Sequence, residues 1–180
     1  MARKVDVVPY DPGWPVVYAA EAESIRLVLG TNVIAVHHIG STAIPGMAAK
    51  PTIDLLVIDQ DHDRLDACNG AMRAAGYHAK GENGVPGRRY FQRLIGDVHL
   101  FHIHAYEKGH PDIDRHLKFR DYLRAHPVDA RAYEALKHHL AAQFPFEPQK
   151  YTSGKTSFIL AIDQRAAGWC AGEREPETGI

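Results

Sequence analysis

Cysteine is scarce in this sequence: there are two, Cys68 and Cys170, in 180 residues. They lie far apart and neither belongs to a metal-binding spacing, so a reducing, cytoplasmic environment is the simplest expectation. The sequence also lacks an apolar run of about 18 residues, the length that a transmembrane helix requires. Its first residues contain no apolar core of a secretory signal. We therefore expect no signal peptide and no membrane association.

An excess of charge of one sign is also absent, because the formal net charge at pH 7 is -1. This balance offers no global attraction for nucleic acid or for an anionic membrane. Hydrophobic residues make up 45% and charged residues 24% of the chain, which is typical of a globular protein. We expect a single domain over residues 1–168 and a polar, disordered tail over residues 169–180.

Apolar periodicity and turn signals predict an alternation of helices and strands. The first half should contain a helix at 15–29, strands at 33–39 and 53–58, a helix at 61–76, a glycine-rich loop at 77–87, and a hairpin of strands at 88–95 and 98–106. The second half should contain helices at 111–126, 128–143 and 153–167. The predicted class is α/β, or α+β, with a small mixed β-sheet flanked by helices.

A turn and a carboxylate carry most of the functional information. The turn Gly40-Ser41-Thr42 follows a predicted strand, and Asp54 interrupts the next apolar strand. Glycine lets phosphate approach the backbone closely, Ser41 and Thr42 supply donors, and a neighbouring carboxylate can hold a metal ion. Each feature has a simpler explanation, since Gly40-Ser41 can form an ordinary turn and Asp54 can pair with Lys50. The combination favours a phosphate-transfer site.

The segment HHIGSTAIPGMAAKPTIDLLV resembles the signature of the GrpB family, a branch of the nucleotidyltransferase superfamily. The superfamily pattern is a hydrophobic residue, Gly, then Gly or Ser, and after an interval Asp-x-Asp or Asp-x-Glu. Ile39, Gly40, Ser41 and Asp54 match it. The segments PYDPGWP, HLFHIHAYEKGHP, RHLKFRDYLRAHP and YTSGKTSFI also resemble the family, so the resemblance covers residues 8–167. It implies a nucleotidyltransferase-like fold and a relation to the domain fused to some bacterial dephospho-CoA kinases.

The second carboxylate of the superfamily pattern is missing, because Leu56 stands in its place. The resemblance implies that GrpB sequences share this departure. In a two-metal site, carboxylates hold two ions about 3.5–4 Å apart. With Leu56 at this position, the usual adenylyl-transfer arrangement is in doubt.

The superfamily's third carboxylate comes from a later strand, and HLFHIH is the candidate strand here. Strand alternation predicts that His102 and His104 share a face with Leu100, while His99 points the other way. Two imidazoles with Asp54 would suit Zn²⁺, Mn²⁺ or Fe²⁺ better than Mg²⁺. Alternatively, one histidine acts as a general base, or the two form a hydrogen-bonded pair without a chemical role.

Basic residues should bind the polyphosphate of a nucleotide triphosphate. Lys50 precedes the Asp54 strand, and Lys155 stands at a predicted helix start that favours anions. Further cations on one strand are Arg88, Arg89 and Arg93. TSGKT lacks the upstream glycine and the preceding strand of a Walker motif, which excludes that motif.

Three functions follow from these residues. The first is a divalent-metal-dependent transfer of a nucleotidyl group from a nucleoside triphosphate to a small molecule or a protein side chain. Asp54, His102 and His104 would be the catalytic and metal-binding residues, with Mg²⁺, Mn²⁺ or Zn²⁺ as the metal. The second is a non-catalytic module that binds a nucleotide or metabolite. The third is a metal-dependent hydrolase or ligase that uses the histidine strand.

Overall fold

The computed structural model describes residues 4–169. Five strands form one mixed sheet in the order β1-β2-β5-β4-β3. They are β1 (Val33–Ile39), β2 (Ile53–Asp59), β3 (Tyr77–Ala79), β4 (Arg88–Ile95) and β5 (Val98–Glu107). β2 and β5 are parallel neighbours at the centre, and the other pairs are antiparallel. The predicted mixed sheet is therefore confirmed.

Seven helices flank the sheet in the described part of the chain. They are α1 (Trp14–Leu29), α2 (His62–Ala67), α3 (Asn69–Ala74), α4 (Pro111–Ala125), α5 (Pro127–Gln143), α6 (Pro148–Gly154) and α7 (Thr156–Gly168). None of the helices within residues 4–169 combines the length and apolar character needed to cross a bilayer. Proline in the first turn of α1, α4, α5 and α6 suits helix starts, where its missing N–H has no intrahelical acceptor.

The two faces of the sheet have different covers. On one face, apolar side chains of the central strands, such as Leu55 and Ile103, pack with α1 and α3 around Ile25 and Met72. The other face carries a smaller cluster, where Leu56 contacts residues that include Ile113 of α4. α4, α5 and α7 pack with each other beyond it. This second face is therefore covered only in part, and a cavity remains beside the small cluster.

Three predicted segments differ from the observed elements by more than a one-residue shift at an end. β3 lies inside the predicted loop at 77–87, because Tyr77 is buried in the core and pairs with Arg93 of β4. The predicted helix at 61–76 divides at Cys68, ahead of Asn69 and Gly70, two residues with low helix propensity. Asp61 is its N-cap, as expected, and accepts hydrogen bonds from two backbone N–H groups.

The predicted helix at 153–167 is two helices, α6 and α7, which meet at Lys155. Gly154 ends α6 where the chain passes close to α5: a Cβ at this position would lie 2.6 Å from Leu140 Cδ2. Trp169, the first residue of the predicted tail, packs edge-on against Tyr122. Residues 170–180, with Cys170, lie outside the described residues, so the predicted disorder of the tail stays a prediction.

Candidate active site

The turn after β1 is built for close contact with β2. Gly40 has φ +70° and ψ −172°, a conformation that is essentially restricted to glycine. A Cβ on Gly40 would lie 2.5 Å from Asp54 Oδ2, which is closer than real Cβ atoms approach other atoms. The following residues, Ser41–Ala43, form one turn of 3₁₀ helix. Glycine is therefore required at this position both by the backbone and by the carboxylate beside it.

Side chains from the neighbouring elements hold this turn in place. Thr42 Oγ1 lies 2.9 Å from His38 Nε2, so its hydroxyl is engaged within the turn. Arg124 of α4 donates two hydrogen bonds, of 3.0 and 2.7 Å, to the carbonyl oxygen of Ala43. Arg120 donates to the carbonyl oxygen of His38 at 3.0 Å. The arginines of the KFRDYLRAHP segment thus anchor helix packing against the turn.

Asp54 lies beside the two predicted histidines. The parallel register places Asp54 opposite His102 and Leu56 opposite His104. His102 Nδ1 is 3.2 Å and His104 Nε2 is 3.7 Å from Asp54 Oδ1. The Asp54 side chain is 27% exposed and each imidazole is 16% exposed, so all three groups line the surface of a partly buried site. The predicted convergence of these side chains is observed.

The partners of His104 determine which of its nitrogens carries the proton. Arg88 Nη1 lies 3.3 Å from His104 Nδ1, and a guanidinium can only donate. Nδ1 of His104 therefore accepts, and the proton of the neutral ring sits on Nε2, which faces Asp54. Burial lowers the pKa of His104, and the neighbouring Asp54 carboxylate only partly opposes this effect. His104 is thus neutral at physiological pH, and its Nε2–H is directed toward Asp54 at 3.7 Å, beyond hydrogen-bond distance.

His99 contacts His102, contrary to the prediction that it faces away from it. The pairing of β4 with β5 shifts between Arg93 and Leu94, which leaves an extra residue in β5 and interrupts the alternation there. Leu100 consequently packs on the core, while His99 Nδ1 lies 2.8 Å from His102 Nε2. The prediction failed because strict alternation assumes a strand without a bulge.

The protonation of the Asp54 carboxyl is set by opposing effects. Burial raises its pKa, but the close electrostatic interaction with His102 and His104 outweighs burial and holds the pKa well below its usual range. Asp54 is therefore a carboxylate at neutral pH that lies against two imidazoles. A group with so low a pKa is a weak base, so its chemistry is that of an anion and a ligand.

Asp54, His102 and His104 form a close electrostatic cluster. A histidine binds a metal through an unprotonated nitrogen, whereas the His104 nitrogen that faces Asp54 carries the proton. Within residues 4–169, no group of three or more His, Cys, Asp or Glu side chains has an arrangement that could hold a metal ion. The proposed metal-binding role of His102 and His104 stays a prediction.

Asp54 opens into a cavity of about 410 Å³ between the sheet and the helices. This volume lies in the range of small-molecule sites, roughly 300–1,000 Å³. We call its two sides the sheet wall and the helical wall. The sheet wall consists of Ser41, Thr42, Asp54, Arg88, Tyr90, His102 and His104. The helical wall consists of Lys137, Tyr151, Thr152 and Lys155.

The predicted phosphate-binding lysines both reach this cavity. Lys50, on the segment before β2, and Lys155, between α6 and α7, each lie over the ring of Tyr151, at 5.2 and 4.7 Å from its centroid. Burial and the charge of Lys50 lower the pKa of Lys155 to about 8, although Asp54 opposes this shift. Four basic side chains and one carboxylate line the cavity, so it carries an excess of positive charge.

Two of the predicted cations lie elsewhere, and one lining cation was not singled out. Arg89 pairs with Asp66 at 2.8 Å and Arg93 with Glu21 at 2.8 Å, both on the α1–α3 side of β4. Arg88 has the opposite orientation because side chains alternate along a strand, and it therefore lines the cavity. Lys137 was missed because a lone lysine in an amphipathic helix normally indicates an exposed face.

Comparison with known proteins identifies the family. The profile of the GrpB protein family matches residues 4–165. The chain belongs to the GrpB family. A relative in Bacillus subtilis, the UPF0157 protein YqkA, is 45% identical over 99% of this chain and 52% of its own length. The chain thus spans about half the length of this GrpB relative. A dephospho-CoA kinase of Mycolicibacterium paratuberculosis is 29% identical over 92% of this chain and 46% of its own, consistent with the expected relation to such kinases.

Solved structures confirm the fold. The crystal structure of conserved protein GrpB from Enterococcus faecalis matches with a TM-score of 0.85 and 38% identity, covering 89% of this chain and 96% of that one. Terminal uridylyl transferase 4 from Trypanosoma brucei, solved with bound dUTP, matches with a TM-score of 0.54 and 13% identity, covering 86% and 53%. At this identity the second likeness concerns the fold alone. The GrpB chain therefore has a nucleotidyltransferase-like fold.

Proposed function

We propose that this GrpB protein binds a nucleoside triphosphate in the cavity and transfers its nucleotidyl group to a small-molecule or protein acceptor. One observation carries the proposal: Asp54, held against the Gly40 turn by two imidazoles, shares a cavity with Lys50 and Lys155. A carboxylate and several cations around one small cavity suit a ligand that brings both phosphates and a divalent cation.

The phosphates would lie between the turn and the lysines. Ser41 borders the cavity at the start of the 3₁₀ turn, where backbone N–H groups and a hydroxyl can donate to an anion. Lys50 and Lys155 would neutralise the phosphate oxygens from the opposite side. Such fixed donors and cations stabilise the charge that develops in phosphoryl and nucleotidyl transfer.

The donor set favours one kind of metal binding. Mg²⁺ is commonly held by one or two carboxylates together with substrate phosphates, without an all-protein cage. Asp54 alone would suit such an ion, whereas the adjacent imidazoles of His102 and His104 would keep Asp54 in place. Bound Mg²⁺ or Mn²⁺ would supply charge neutralisation at the phosphates. Zn²⁺ would require the histidines to present unprotonated nitrogens to the metal.

The test is an Asp54→Asn variant, with Asp66→Asn as the matched control on the far side of the sheet. Calorimetry with ATP and Mn²⁺ measures binding, and pyrophosphate release with mass spectrometry of the products measures transfer. We expect Asp54→Asn to lose metal-dependent binding and turnover while Asp66→Asn retains both. Turnover by the Asp54→Asn variant at the wild-type rate would refute the assignment.

A second candidate is a nucleotide- or metabolite-binding module without catalysis, and Leu56 favours it. The Leu56 side chain is fully buried among Ile39, Tyr106 and Ile113, so a second carboxylate has no place there. This alternative predicts tight, Asp54-dependent binding of ATP without any product after long incubation. Stoichiometric release of pyrophosphate that depends on Asp54 would exclude it.

A further inference from the structure

Lys137 is a fully buried lysine whose end reaches the cavity. It lies on α5, its residue is 1% exposed, and it lines the cavity on the helical wall. Its Nζ donates to the carbonyl oxygen of Ala48 and lies 5.0 Å from the centroid of the Tyr133 ring. An ammonium has three N–H donors, and burying its charge is costly unless anions or acceptors surround it.

The charges that face Lys137 disfavour its ammonium form. Burial and the positive charge of Lys155 lower the pKa of Lys137 to about 7, and Glu134 on the same helix opposes them. Lys50 lies beyond Lys155, and Asp54 is the one carboxylate on the cavity lining. The Tyr151 hydroxyl stays neutral because burial raises its pKa to about 12. Among the lining residues that the structure describes, Asp54 is therefore the one carboxylate beside Lys137 and Lys155.

We propose that Lys137 is a proton-linked anion-binding residue: a phosphate-bearing polyanion that enters the cavity draws a proton onto the Lys137 amine and is then bound by the resulting ammonium. The step is a simple protonation, in which the neutral amine takes H⁺ from the buffer and no other bond changes. The ligand supplies the negative charge that the lining lacks. This inference deepens the proposed function and rests on it for the phosphate-bearing ligand.

The direction of the pH dependence follows from the same charges. At pH values below about 7 the amine is already protonated, so binding takes up little H⁺. At pH 8 most of the amine is neutral, and binding should take up about half a proton or more per site. Affinity for the polyanion should consequently fall as the pH rises from 7 to 9.

The experiment is calorimetric titration of the full chain with inorganic triphosphate and with ATP at pH 8. Repeating it in buffers of different ionisation enthalpy gives the number of protons taken up. We expect Lys137→Met to lose most of the uptake and about ten- to hundredfold in affinity, because a charge-assisted hydrogen bond is lost. Lys137→Arg should bind with little uptake, since arginine is always charged. The exposed helical variant Lys118→Met should behave as wild type.

The outcomes separate this inference from the proposed function. Binding of triphosphate or ATP without proton uptake, or with uptake unchanged in Lys137→Arg, would overturn the role of Lys137 and leave the proposed function standing. Absence of binding by the wild-type protein from pH 6 to 8 would overturn both. If Lys137→Met fails to fold, NMR titration of the Lys137 side chain in the wild-type protein, with and without triphosphate, measures directly whether binding protonates the amine. A signal that does not move toward the protonated form on binding would refute the proposal.

Discussion

The two walls of the cavity satisfy their charges differently. On the sheet wall, Asp54 lies against the imidazoles of His102 and His104, and strand register determines where each group lies. On the helical wall, the charge of Lys155 disfavours the ammonium form of Lys137, and Lys50 has the same effect on Lys155. Buried groups that attract each other fix each other's positions. Buried groups of like charge repel each other and therefore favour the binding of a ligand of opposite charge. The sheet wall is thus suited to orientation and the helical wall to anion binding.

This comparison predicts that the sheet wall governs stability most strongly. Gly40→Ala should lower the free energy of unfolding by about 1–3 kcal/mol through backbone strain, with a further loss from the contact between the new Cβ and Asp54 Oδ2. Urea denaturation measures the change. The control is Gly46→Ala, because Gly46 also has positive φ but has no atom within 4 Å of the position that a Cβ would occupy. Equal losses in both variants would show that the Asp54 contact contributes nothing.

A second prediction concerns acid, which should lower the free energy of unfolding because two buried histidines near the sheet wall resist protonation in the folded protein. Burial lowers the pKa of His116 to about 3 and that of His38 to about 4, with smaller effects from nearby charges. Because both folded-state values lie below the ordinary 6.5, the unfolded chain binds the proton more readily, and stability is lost as the pH falls below that value. At pH 5 each residue should cost about 2 kcal/mol.

Urea unfolding at pH 7.5 and pH 5 checks this sign and size. His116→Gln should reduce the loss of stability between the two pH values, whereas the exposed His78→Gln should not. The depressed pKa of Asp54 also lowers stability in acid, but only below the ordinary carboxyl value of 3.8, outside this window. An unchanged loss in His116→Gln would contradict the assignment of a neutral buried His116.

The smallest effect on stability is expected on the helical wall. Lys155→Met should leave the free energy of unfolding within about 1 kcal/mol of wild type, because the desolvated charge that it removes has no ion-pair partner within residues 4–169. The same variant should weaken ATP binding by about tenfold or more. Denaturation and calorimetry on one preparation measure both. A large loss of stability with unchanged ATP binding would contradict the assignment of anion binding to the helical wall.

Much of the fold follows from sequence patterns that act over short distances. The pattern of apolar residues correctly predicted β1, β2, β4 and β5, and the cap residue Asp61 correctly predicted the start of α2. β3 escaped prediction because three residues carry almost no periodicity, and Tyr77 pairs with a strand that is distant in sequence. The division of the last helix also depends on a distant contact, between Gly154 and Leu140.

The candidate site was predictable where one segment carried both the turn and the carboxylate. Gly40, Ser41 and Asp54 lie within a single short segment, and its resemblance to a known family pointed to the same residues. The position of His99 was mistaken because a bulge is invisible to simple alternation. Lys137 could not be found because only the packing of α5 against the Ala48 segment turns its side chain inward.

Residue identity and local spacing are enough to assign the family, to locate the strand-turn-strand that carries Gly40 and Asp54, and to show that Leu56 replaces a carboxylate. Which cations share the cavity with Asp54 depends on the folded chain: Arg88 and Lys137 line it, whereas Arg89 pairs with Asp66 elsewhere. Charges act through space, and their partners are set by the pairing of strands and the packing of helices that lie far apart along the chain. The chemistry of the site therefore depends on contacts that no single segment encodes.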